Sequence, residues 1–101
     1  MKIAIIGQAA FGRDVLTSLI ARKENIAAVI CPPDQSPDRI DPLKTSALEQ
    51  NIPVLQYKRM RSSTAIKEFK SLNVDLCVMA FVTDIVPDEI LKAPTHGTIQ
   101  Y

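Results

Sequence analysis

"KIAIIGQAAFGRDVLTSLIARKENIAAVI" (Lys2–Ile30) decides how the rest of the chain is read. Lys2 to Ile6 is an apolar run that stops on Gly7. A strand screened on both faces has this composition, because neither side has to meet water. From Phe11 the period changes. Phe11, Val15, Leu16, Leu19 and Ile20 recur at helical spacing, with Arg13, Asp14, Thr17 and Ser18 between them, which predicts an amphipathic helix of about three turns. "NIAAVI" (Asn25–Ile30) is a second buried strand. Two such strands joined by a helix make a βαβ unit with parallel strands.

The alternation runs on to the end. "CPPDQSPDRIDP" (Cys31–Pro42) holds four of the chain's seven prolines and must be a loop. Asp41 and Pro42 supply an N-cap followed by proline at the first helical position, and Leu43, Ala47 and Leu48 are expected to face inward from that second helix. "IPVLQ" (Ile52–Gln56) is a third strand, "YKRMRSS" a basic loop, and Ser63 the expected cap of a third helix with Ile66, Phe69 and Leu72 as its stripe. "VDLCVMAFV" (Val74–Val82) is a fourth strand. Pro87, Asp88 and Glu89 open a fourth helix, the carboxylates suiting its positive end. "HGTIQY" (His96–Tyr101) is a fifth strand. Short connections between alternating elements imply right-handed crossovers. The expected fold is therefore an open, mostly parallel Rossmann-like α/β sheet of order 3-2-1-4-5 with helices on both faces. Ligands in such sheets sit beyond the carboxyl ends of the strands, where the order reverses. Here that places Gly7–Phe11 beside Phe81–Pro87, with Tyr101 arriving next to them.

Composition excludes several function classes. A chain of 101 residues is one domain, and a net charge of +1 argues against a strongly basic nucleic-acid surface. No apolar run approaches the roughly 20 residues of a membrane span, and "MKIAIIG" is too short for a signal segment. Cys31 and Cys77 stand alone in apolar contexts and read as reduced core thiols of a cytoplasmic protein.

"GQAAFG" (Gly7–Gly12) invites a dinucleotide reading, but Ala9 stands where the fingerprint needs its second glycine. Asp34, at a plausible distance for a ribose-binding acid, lies in the proline-rich loop. Gly7 and Gly12 are better read as a tight strand-to-helix turn with close helix–sheet packing, and neither a dinucleotide cofactor nor a metal is expected. His96, the single histidine, falls at the entrance of the last strand, away from the ligand edge. "YKRMR" (Tyr57–Arg61) is a solvated loop that also lies on the ligand edge, where it could meet an anion.

"MKIAIIGQAAFG", "PVLQYKRMR" and "FVTDIVPDEILKAPTHGTIQY" together resemble the amino-terminal half of the folate-dependent formyltransferases. The nearest branch is the amino-terminal hydrolase domain of the 10-formyltetrahydrofolate dehydrogenases. Methionyl-tRNA formyltransferases and glycinamide ribonucleotide transformylases are more distant. The resemblance implies 10-formyltetrahydrofolate as formyl donor. The acceptor is an amine or water, and nucleic acid is a partner only if the acceptor is an aminoacyl-tRNA. It implies that Asp84, Ile85 and Val86 contact the folate. Phe81, Val82, Ile85 and Val86 could wall a flat pterin, or could simply be core. In this family the fifth strand leads into Asn-x-His-x-Ser-Leu-Leu-Pro, whose asparagine position falls on Gln100. Gln100 keeps an amide for an oxyanion one methylene further out, which leaves transfer and hydrolysis both open. The chain, 1–101, is thus expected to be the amino-terminal part of a catalytic domain, stopping one residue short of the catalytic histidine. It is expected to be inactive alone and to self-associate through exposed Ile90, Leu91 and Ile99. A non-enzymatic nucleotide-binding module is the alternative.

Overall fold

The central strands are apolar on both faces, and helices cover both. A computed structural model describes residues 1–101. The order is β1 (Lys2–Gly7), α1 (Ala9–Ala21), β2 (Asn25–Cys31), α2 (Pro42–Glu49), β3 (Val54–Gln56), α3 (Ser63–Ser71), β4 (Leu76–Ala80), α4 (Asp88–Leu91) and β5 (Thr98–Gln100). The sheet runs β3-β2-β1-β4-β5 with every pair parallel, as the alternation requires. One core layer joins Ile3, Ile5, Ile26, Val29 and Val78 to Val15 and Leu16 of α1 and to Leu43 and Ala47 of α2. The other joins Ala4, Ile6, Ile30 and Cys77 to Phe69 of α3, Ile90 of α4 and Met60. The first two crossovers therefore lie on one face and the last two on the other, which puts the reversal of strand order between β1 and β4.

The pairing of β1 with β2 is interrupted once. Ile3 pairs with Ile26 but Ala4 pairs with Ala28, so Ala27 is an extra residue in β2. Because of it Ile26 and Val29, three apart, lie in the same layer, while Ile30 lies in the other.

Local expectations are corrected at several points. Phe11 and Leu48 are not core residues: they are 45% and 53% exposed. Phe11 sits in the first turn of α1, past the edge of the sheet, and meets the ring of Tyr101 edge-on at 6.4 Å. Leu48 is turned about 100° from the fully buried Ala47 and looks to solvent. The cap of α3 is Ser62, whose hydroxyl accepts the Ala65 N–H at 3.1 Å, and Ser63 is the first helical residue. β4 is shorter than its apolar run. It ends at Ala80 because Phe81 takes φ 60°, which breaks the ladder. β5 starts at Thr98, after Gly97 at φ 79°. Ile90, expected on an exposed surface, is fully buried beneath α4. Leu91 is half-buried, and only Ile99 of that trio is open, at 48%.

Asp75 ties the amino ends of three strands. Its carboxylate accepts the Lys2 N–H at 2.7 Å and its carbonyl accepts the His96 N–H at 2.7 Å. His96 is thereby held, exposed, at the edge opposite the carboxyl ends of the strands. Cys31 and Cys77 are both buried and free. Burial pushes the Cys31 thiol up to about 11 and the Cys77 thiol up to about 12, so both are packing groups rather than nucleophiles.

Candidate functional site

Three loops meet at the carboxyl ends of the strands, and each is held by a bond its own sequence supplies. The turn from β1 into α1 is forced by close approach: a Cβ on Gly7 would lie 2.3 Å from the Ala80 carbonyl oxygen of β4. Gln8 then donates its backbone N–H to that same oxygen at 3.3 Å. Ala9 follows at φ 65°, a left-handed conformation that is strained for any residue with a Cβ. Strained backbone of this kind gathers at functional turns. Phe81, at φ 60° on the facing loop, is its counterpart.

The loops are also joined to one another. Gln8 Nε2 donates to Thr83 Oγ1 at 3.2 Å, linking the β1–α1 turn to the β4–α4 loop. Asp84 accepts the Met60 N–H at 2.8 Å through Oδ2 and its neighbour's N–H, that of Ile85, at 2.8 Å through Oδ1. This binds the β3–α3 loop to the β4–α4 loop. Met60 is 4% exposed and packs in the α3–α4 layer, so the basic loop is anchored from below. Its cations stay free: Lys58, Arg59 and Arg61 form no ion pair.

The space enclosed is a cavity of about 240 Å³. Its floor is Ile6, Gly7, Ile30 and Cys31, with Tyr57 to Met60 on one side and Phe81 to Asp84 on the other. Of the residues expected at the site, the structure brings Phe81, Val82 and Asp84 to this cavity. Ile85 is 70% exposed and outside it. Val86 packs against the α3–α4 layer. Gln100, opposite Met79 in the β4–β5 pair, is exposed at the carboxyl end of β5 and does not line the cavity. Asp34 is engaged elsewhere: Lys44 Nζ donates to it at 2.8 Å and Gln56 Nε2 at 2.9 Å. The Lys44 bond, then the Gln56 bond, hold its carboxyl below the usual range.

Sequence reasoning passes over Gln8, Met60 and Thr83. The usable signal was Met60, an apolar residue among four charges or hydroxyls that has no reason to be there unless it is buried. Asp84, expected to touch ligand, has both its oxygens in use as a clasp.

The Met60 N–H, followed by that of Ile85, holds the Asp84 carboxyl below its ordinary value. A lowered carboxylate pKa contributes stability that is present above the unfolded value near 4 and is lost as pH falls through the folded one. Asp84→Asn, which keeps an acceptor oxygen and loses the charge, is expected to flatten the fall in thermal midpoint between about pH 5 and pH 2. A variant whose midpoint falls as steeply as that of the unaltered chain would show that these two N–H groups do not hold the carboxylate.

No helix is long and apolar enough to cross a membrane.

Three comparisons bear on this arrangement. Residues 1–101 match the family model described as formyl transferase. The chain is 34% identical over 106 residues to the cytosolic 10-formyltetrahydrofolate dehydrogenase of Xenopus tropicalis, covering 100% of itself and 12% of that protein. It is 38% identical over 103 residues to the methionyl-tRNA formyltransferase of Listeria innocua, covering 97% of itself and 33% of that protein. Among solved structures, glycinamide ribonucleotide transformylase 1 from Symbiobacterium toebii aligns at a TM-score of 0.73 and 16% identity, over 99% of this chain and 50% of that one. The last likeness is one of fold.

Proposed function

The chain belongs to the formyl transferase family, and from that premise we propose that the protein of which it forms at least a part moves or releases the formyl group of 10-formyltetrahydrofolate. The observation that carries this reading is the cavity at the reversal of strand order, edged by Phe81, Val82 and Asp84, in a chain that matches the family from end to end. An acceptor amine, or water, attacks the formyl carbon. The carbonyl π electrons move onto oxygen, and collapse of that oxyanion expels the folate nitrogen, which takes up a proton as the acceptor gives one up. Phe81 and Val82 offer apolar surface for a flat ring system. Ile85 and Val86 extend the loop that contacts the folate, with Asp84 fixing its shape. In this reading Gln100, which lies outside the cavity at the carboxyl end of β5, would supply the amide for the oxyanion. An aminoacyl-tRNA acceptor would make nucleic acid a partner. The proposed setting is the cytoplasm, although one relative of similar identity is a mitochondrial enzyme.

By itself the chain is expected to turn over no formyl-folate. His96, its one histidine, is held at the opposite edge by Asp75. The test is an amide-shift titration with a stable formyl-folate, 5-formyltetrahydrofolate. Saturable shifts at Phe81 to Val86 are expected. Shifts confined to Gly7–Gly12 with an adenine dinucleotide, and none with the folate, would favour the nucleotide-binding alternative instead.

A further inference from the structure

The start of α1 lies at the reversal of strand order, where a helix N-terminus draws anions through its open N–H groups and its dipole. In this chain an anion is already there. Both carboxylate oxygens of Asp41 accept the Ala9 N–H at 2.9 Å, across 32 residues of sequence. The same carboxylate accepts the Leu43 N–H at 2.8 Å and so caps α2. Pro42, at the first helical position of α2, fixes the backbone from which Asp41 reaches over. One side chain thus serves the first turns of two helices. The pair is braced by packing, since a Cβ on Gly12 of α1 would lie 3.1 Å from Leu43 Cδ2 of α2.

We propose that Asp41 is a specificity-determining residue: an internal anion that fills the seat of the β1–α1 turn and turns external phosphate away. A second anion brought to the Ala9 N–H would face a like charge at contact distance, with the N–H already spent. The consequence narrows the acceptor class. The formyl acceptor does not dock through a phosphate at this turn. Acceptors that fit are water, or an amine whose anionic groups lie elsewhere. The basic residues Lys58, Arg59 and Arg61, which have no ion-pair partner, are on the far side of the cavity and remain available. This narrowing rests on the formyl-transfer reading. The refusal of phosphate does not, because it is read without folate.

The experiment uses inorganic phosphate and pyrophosphate as probes and amide resonances of Ala9 to Gly12 as the readout. In the unaltered chain no saturable shift is expected. Asp41→Ser keeps a hydroxyl to cap α2 and removes the charge. It is expected to bind phosphate roughly ten-fold more tightly or better, as loss of one like charge at close range allows, with shifts centred on Ala9 and Ala10. If Asp41→Ser does not fold, Asp41→Asn, which retains the acceptor oxygen, is read in the same way. Saturable phosphate shifts at these amides in the unaltered chain would overturn the proposal. So would a folded neutral variant that gains none. Thermal midpoint alone does not decide the matter, since loss of a structural cap would lower it without creating any response to phosphate.

Discussion

Gly7→Ala is expected to destabilise the chain by about 3 kcal/mol, a large share of what a domain of this size has. The added Cβ would sit 2.3 Å from the Ala80 carbonyl oxygen and 3.2 Å from the Ala80 carbonyl carbon. What it meets is backbone, not the movable end of a side chain. Relief requires β1 and β4 to part where they pair Gly7 with Ala80, at the point where the cavity begins. Urea unfolding measures the loss. Gly97→Ala is the control: its φ is 79°, so alanine is strained there, but nothing lies within 4 Å of the added Cβ. It should cost about 1 kcal/mol. Equal losses at the two positions would mean that conformation, not the approach of β1 to β4, is what fixes Gly7.

Phe69→Ala is expected to cost about 4 kcal/mol. Phe69 is 1% exposed and is among the largest fully buried side chains in the molecule. It shares its layer with Met60, Val74, Cys77 and Ile90. The larger consequence is at the cavity. Met60 is what keeps the basic loop down, and its N–H is what Asp84 holds. A void in the layer to which Met60 belongs loosens both. Hydrogen exchange at the Met60 amide should therefore accelerate more than global stability accounts for, while exchange in β2 tracks the global loss. Phe69→Leu should lose roughly half as much. Exchange at Met60 that merely follows global unfolding would separate the loop from the layer beneath it.

Both arguments depend on contacts between segments far apart in the chain, and that marks the limit of what the sequence discloses. Element order, parallel pairing and the edge of the sheet that carries the cavity were legible, because unbroken apolar runs alternate with a helical period and proline punctuates the long loop. The cap at Asp41 was legible from Asp-Pro alone. Its second bond, to Ala9, was not, since nothing local tells a capping carboxylate that another helix will start beside it. Phe11 and Leu48 fit the helical period and still face outward. Periodicity says which side of a helix is apolar, not how far the sheet beneath it extends. Phe81 read as the continuation of a strand because its neighbours are apolar, whereas the chain turns there on a single left-handed residue. At the site, Phe81, Val82 and Asp84 line the cavity, whereas Ile85 and Val86, which the family resemblance implied as folate contacts together with Asp84, do not. The role of Asp84 as a clasp needed Met60 and Ile85 in place around it.

The extra residue in β2 has a consequence for how this chain can change length. A strand buried on both faces has alternating contents, so an insertion or deletion elsewhere in it would exchange the layers for everything downstream. Ala27 already absorbs one such residue. Its removal would restore regular pairing of Ile26 and Ala28 with Ile3 and Ala4 and leave Val29, Ile30 and Cys31 in their present layers. Residues 27 and 28 are both alanine, so loss of either leaves the same chain and the same layers. Within this strand, gain and loss of single residues are confined to one permissive place, and the bulge marks it.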